Sequence, residues 1–353
     1  FEHCHVQPLC TPTRAQLMTG KSNIRNYIHF GTLLRGETTF AHHLSKAGYT
    51  TAICGKWQLG REIDSPRHFG FGESFLWQHT RRPPRYANPG LERDGKEIDF
   101  NNGEYGPDLV NDFAIDFVRR NKSRPFFLYY PMMLTHAPYV PTPDNADYHN
   151  DSPSLAKGTT GEQPHFAAMV AYMDKLVGKL VTELDNLKLR DKTLIVFFGD
   201  NGTGKGQAKY STIQGKRLAG EKGTMQEGGT HVPMVLNWQG VVEAGKVSKD
   251  LVDSSDFLPT FAELAGASLP KTILDGKSFA KNLSGQSELV RDSVFVQLAK
   301  MWFVQDTRWK LNHAGELFDM TNAPFEEKLV PENSSDLESK QARNRLQAKL
   351  NQL

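Results

Sequence analysis

Apolar positions along the chain follow two rhythms that alternate for most of its length. One recurs every three or four residues, as in helices, and the other runs unbroken or alternates, as in strands. Thr11–Met18 reads as a short helix stopped at Gly20, and Thr38–Ala47 as a second ended by Gly48, with a strand over Tyr49–Cys54 behind it. Asp108–Arg120 spaces Leu109, Phe113 and Phe117 at helical intervals, and Pro125–Pro131 follows as a buried strand. The strongest helical pattern is Phe166–Leu187, where Met169, Met173, Leu176, Leu180 and Leu184 form a stripe that reads as core. Thr193–Phe198 is a continuous apolar strand of the parallel-sheet type. Val232–Trp238 reads as another strand, and Phe257–Leu264 as a helix closed by Gly266.

This alternation predicts an α/β layered fold. Arg61–Gly106, rich in Pro, Gly, Arg and Asn, reads as loop shaping the mouth of a site. Beyond Leu283 the texture changes. Ser293–Leu298, Trp302–Gln305 and Trp309–Asn312 predict a small antiparallel sheet, and Asp336–Leu350 a polar terminal helix. The expected division is a catalytic α/β domain over 1–283 and a small subdomain over 284–353.

Composition narrows the function. The 353 residues carry a formal net charge of only +2, which argues against a general nucleic-acid binder. No apolar run approaches the ~18 residues of a membrane span. Three cysteines, Cys4, Cys10 and Cys54, make no disulfide framework and leave the redox compartment open. The chain opens at Phe1 without an initiator Met and is read as a fragment or processed chain that carries no targeting segment.

The informative run is Leu9-Cys10-Thr11-Pro12-Thr13-Arg14 through Thr19-Gly20. It places a small nucleophile at a helix N-terminus, where backbone N–H groups and the helix dipole favour an anion. Arg14, one turn on, can bring a guanidinium to the same point, an arrangement suited to sulfuryl or phosphoryl transfer. Phe198-Gly199-Asp200-Asn201-Gly202 offers two hard oxygen ligands where a strand ends, which suits Ca²⁺ or Mg²⁺ rather than zinc. Thr135-His136-Ala137-Pro138 follows another strand end, the usual place for ligands in open α/β sheets. A zinc cluster of His3, Cys4, His5 and Cys10 is disfavoured because the first three are spaced too tightly for an ordinary tetrahedral site.

The Cys10 run resembles the signature of the formylglycine-dependent sulfatases, a family of the alkaline phosphatase superfamily. That resemblance implies that Cys10 is oxidised to formylglycine by a maturation enzyme. One hydroxyl of the hydrated aldehyde then attacks sulfur and expels the alcohol, and the second releases sulfate as the aldehyde re-forms. Gly55-Lys56-Trp57-Gln58-Leu59-Gly60 is similar to a family segment whose lysine lies beside the sulfate, which assigns that role to Lys56. Gln58 departs from the usual His and cannot shuttle a proton at neutral pH. By the same resemblance His136 contacts the ester as general acid to the leaving oxygen, and Asp200 and Asn201 bind the metal. The Glu221–Pro233 stretch places a sulfate-contacting lysine at Lys222, with His231 where the family usually has Arg.

The family's first strand, which ends in an Asp-Asp pair of metal ligands, normally precedes the Cys motif. Only nine residues precede Cys10, and Glu2, their sole carboxylate, is out of register. The expectation is that the strand belongs to the natural protein, the alternative being a degenerate homologue. The resemblance implies an alkaline-phosphatase-like sandwich with a mostly parallel central sheet flanked by helices, acting on a sulfated small molecule or saccharide. It also implies a periplasmic, secreted or, in a eukaryote, lysosomal setting. The rivals are a phosphonate monoester hydrolase or phosphodiesterase, and a non-catalytic binding protein. Arg81, Arg82, Arg85 and the Trp302–Trp309 region are the expected outer rim.

Overall fold

A computed structural model describes residues 1–149, 164–269, 274–286 and 289–353. The chain forms two compact units. One comprises Phe1–Phe30, Leu194–Leu264 and Pro270–Leu353, and the other Gly31–Thr193 with Ala265–Leu269.

The second unit is built on a five-stranded sheet in the order Lys96–Asp99, Gly90–Arg93, Glu73–Trp77, Thr50–Gly55, Phe126–Tyr129. Thr50–Gly55 runs parallel to both of its neighbours, with Thr50 opposite Phe126 and Ala52 opposite Glu73. The remaining pairs are antiparallel. Helices Gly106–Asn121 and Phe166–Asn186 supply the other side of the core, where Phe113, Phe117, Met169, Tyr172 and Leu176 meet Ala52, Cys54 and Phe75. Met169 is fully buried there, as its helical spacing predicts. Thr39 caps the helix Phe40–Lys46 reciprocally with His42.

Three expectations change in this unit and its counterpart. Arg61–Gly106 is not simply loop, since it carries Glu73–Trp77 and the hairpin Gly90–Arg93/Lys96–Asp99. The hairpin turns at Asp94 and Gly95, both with positive φ (51° and 85°), the two-residue geometry that Asp-Gly favours. The strand at Phe126–Tyr129 lies at the sheet edge and is half-buried rather than buried. Ile195–Phe198 pairs antiparallel with Met234–Asn237, not in a parallel ladder, and is likewise half-buried.

In the first unit His3–His5 is the middle strand of a three-stranded sheet, parallel to Leu251–Asp253 and antiparallel to His231–Val232. The helix Cys10–Thr19 packs against the turn Ser254–Asp256 and the helix Phe257–Leu264. All ten of its residues are buried, so it is an internal helix rather than an amphipathic surface one. Gly20 closes it in the left-handed conformation (φ 66°), its N–H donating to Gln16 O. The C-terminal sheet has five antiparallel strands rather than the three expected, Leu317–Asp319 and Lys328–Leu329 being the additions. The helix Leu337–Leu350, capped by Asp336, covers it through Ala342 and Leu346 against Val304, Trp309 and Leu311.

Candidate active site

Cys10 is the first residue of the buried helix and is itself buried. Leu9 ahead of it is extended and offers no side-chain cap, so the N–H groups of the first turn are not satisfied by the capping residue. Cys10 and Cys4 are not bridged to each other, and neither is Cys54. Burial and the nearby carboxylates Asp253 and Asp256 push the Cys4 thiol far up, so Cys4 behaves as an inert core residue.

One turn into the helix, Arg14 donates from Nε (3.0 Å) and a terminal nitrogen (2.9 Å) to Asp200 Oδ2. The guanidinium is thus fixed by the carboxylate at the end of Ile195–Phe198, which ties the two strongest motifs of the sequence together. Asn201, the next residue, donates from Nδ2 to Gly202 O (3.1 Å). Its Oδ1 is buried with no hydrogen-bond partner. A buried amide oxygen without a donor is costly, and a hard cation satisfies it. The donor set at Asp200 and Asn201 therefore fits Ca²⁺ or Mg²⁺.

The Lys222 segment joins the same place by backbone contacts. Lys222 N–H donates to Thr203 O (2.9 Å), and Gly223 N–H to Pro8 O (3.0 Å). One strap therefore touches both the residue pair before Cys10 and the turn after Asn201. Glycines allow this close approach. A Cβ on Gly202 would overlap Gly228 O, and Gly202 N–H donates to Gly229 O (3.1 Å). In this unit the structure brings together Cys10, Arg14, Asp200, Asn201 and the Lys222 strap.

Lys56, Gln58 and His136 belong to the other unit and are gathered there. They follow the C-terminal ends of two adjacent parallel strands, Thr50–Gly55 and Phe126–Tyr129. Lys56 is buried, and its N–H donates to Pro131 O (2.8 Å). Gly55 ahead of it has φ 109°, and a Cβ there would overlap Pro131 O, so only glycine fits. Gln58 has a positive φ of 61°, a conformation that costs a non-glycine residue energy and tends to persist at functional sites. His136 N–H donates to Met133 O (3.1 Å), and its Nδ1 meets Ala137 O (2.8 Å), which makes Nδ1 the protonated nitrogen. Tyr86 O–H bonds to both Met133 O (3.2 Å) and His136 O, and so braces the histidine turn. Nothing in the sequence marks Tyr86, which lies in the stretch without periodicity.

The mixed sheets, flanking helices and C-terminal antiparallel sheet are those of the α/β fold of the alkaline phosphatase superfamily. A sulfatase family model matches residues 1–267, and one described as N-sulphoglucosamine sulphohydrolase, C-terminal, matches residues 219–353. The chain belongs to the sulfatase family. It is 31% identical over 325 residues to human arylsulfatase A, covering 81% of this chain and 61% of that protein. Human N-acetylgalactosamine-6-sulfatase is 30% identical over 311 residues, covering 79% of this chain and 57% of its own length. The solved structure of Ps i-CgsB superposes with a TM-score of 0.81 at 26% identity, covering 100% of this chain and 84% of that one. The chain thus spans about three fifths of the length of these curated relatives.

Proposed function

We propose that this protein hydrolyses a sulfate monoester, aryl or carbohydrate, with Cys10 matured to formylglycine. The observation that carries the reading is the placement of Cys10 at the N-terminus of a buried helix, one turn from an Arg14 gripped by Asp200. Formylglycine there would supply a hydrated aldehyde as nucleophile, and Ca²⁺ or Mg²⁺ held by Asp200 and Asn201 would polarise the sulfate. The relatives named for arylsulfatase and N-acetylgalactosamine-6-sulfatase activity support both substrate classes.

The chain's own residues supply the rest. N–H groups of the first helical turn orient the anion at Cys10. Arg14, immobilised by its two bonds to Asp200, contributes a positive charge that needs no reorganisation as the reaction proceeds. Lys222 and Lys56 place charge on the sulfate oxygens. His136 keeps one proton on Nδ1 against Ala137 O, and as the imidazolium it carries a second on Nε2, which it delivers to the leaving oxygen and so returns to the neutral ring. A formylglycine-generating enzyme is the maturation partner, and a periplasmic, secreted or lysosomal setting goes with the family resemblance.

Gln58 favours a second reading, a protein that binds sulfate esters without turnover, because it stands where the family pattern carries a proton-moving His. Initial rates on an aryl sulfate and an aryl phosphonate ester, with Cys10→Ala as control, test the proposal. Hydrolysis of the sulfate ester that disappears in Cys10→Ala is the expected result. Preference for the phosphonate ester, or binding without product, would overturn it.

A further inference from the structure

His231 occupies the position where the sulfatase pattern carries Arg, and its surroundings in the structure are those of a metal ligand. His5 lies directly opposite it across the ladder between His3–His5 and His231–Val232. The two rings are stacked with centroids 5.0 Å apart, and His3 also stacks on the His231 imidazole, at 6.1 Å. One turn earlier, Glu227 is buried, and its Oε2 is 2.7 Å from His231 Nδ1. Its Oε1 accepts a hydrogen bond from Gln305 Nε2 at 3.0 Å. His5 is 1% exposed, and its Nδ1 has no hydrogen-bond partner. The ligand atoms offered by His5, Glu227 and His231 all lie within 4.8 Å of one another.

We infer that His5, Glu227 and His231 form a binding site for a divalent ion of the zinc class, separate from the oxygen ligands Asp200 and Asn201. Two imidazoles and one carboxylate are the donor chemistry that selects zinc over Ca²⁺. The unpartnered His5 nitrogen is the ligand the fold leaves ready. His231 meets Glu227 through Nδ1 and Glu2 O through Nε2 (2.6 Å), so the ion would take the place between the Nδ1 and the carboxylate. Lys310 is the nearby opposing charge, and Glu327 neutralises it at 2.9 Å. A fourth ligand would be water.

The test is calorimetric titration of the chelator-stripped protein with Zn²⁺ in excess Ca²⁺, with Co²⁺ absorption as a second readout. The wild type is expected to bind one zinc ion per chain at this site, with a tetrahedral Co²⁺ spectrum. His5→Ala and His231→Arg are each expected to weaken that binding by at least about tenfold, since even the loss of a supporting residue costs that much. His231→Arg keeps a cation on Glu227 and so keeps the fold, which separates loss of the site from loss of structure. Equal zinc binding by the wild type and His231→Arg, or none by the wild type, would overturn the inference. The cluster would then be an imidazolium standing in for an arginine.

Discussion

A cation beside a reacting sulfate contributes most where it is already fixed and partly shielded from water. Lys222 meets that description, half-buried on a strap whose backbone is held at Thr203 and Pro8. Lys222→Ala is expected to lower kcat/KM by roughly 10²–10³-fold, about 2.7–4 kcal/mol, with an unchanged circular dichroism spectrum. Wild-type turnover in the folded variant would remove Lys222 from the site. Cys10, Arg14, Lys56, Asp200 and Lys222 could be singled out in the sequence as candidates because each sits in a dense local pattern. Their partners could not. That Arg14 grips Asp200, or that His231 faces His5, depends on which strands become neighbours, and no spacing within a motif encodes that. Tyr86 was invisible for the same reason.

At the scale of elements, the nucleophile helix depends on how it ends. Gly20 is left-handed, and a Cβ there would lie 3.2 Å from both Leu258 Cβ and Leu274 Cδ2. Gly20→Ala is therefore expected to destabilise the protein by about 1–2 kcal/mol from backbone strain, with crowding adding to it. A denaturant midpoint equal to wild type would contradict this. Helices with long apolar stripes, such as Phe166–Asn186, were predicted to within a residue or two because burial of one face fixes their period. The strands within Arg61–Gly106 escaped because they are short, and the strand Lys96–Asp99 is exposed throughout, with no buried face to impose alternation. The Asp94-Gly95 turn was the one available signal. Ile195–Phe198 shows the limit of the apolar-run rule, since an unbroken run does not specify the direction of its partner.

For the whole molecule, pH dependence of stability has an identifiable source. His79 Nδ1 is 3.1 Å from Glu92 Oε2, both side chains buried, and its Nε2 is 2.9 Å from Glu62 O. Burial opposes the imidazolium, but the close contact with the Glu92 carboxylate, the hydrogen bond to Glu62 O and the charges of Glu92 and Glu62 outweigh it, so the pKa is raised above 6.5. A raised histidine stabilises the fold fully below its unfolded value and loses that contribution as pH rises through the folded one. Unfolding midpoints are expected to fall as pH rises beyond ~6.5, and less so in His79→Asn/Glu92→Gln, where both charges are gone. An equal fall in the double variant would place the dependence elsewhere. At this scale the low net charge argues against a general nucleic-acid binder, and among the described residues no helix is long and apolar enough to cross a membrane.

The central claim is that Cys10 is a formylglycine precursor poised at a helix N-terminus. Its most direct test is the mass of the tryptic peptide that ends at Arg14, from protein made in the native host. The account predicts the aldehyde or its hydrate at Cys10. An unmodified thiol in folded protein would contradict it, and would turn the reading toward a sulfate-binding protein in which Gln58 belongs to the same loss of turnover.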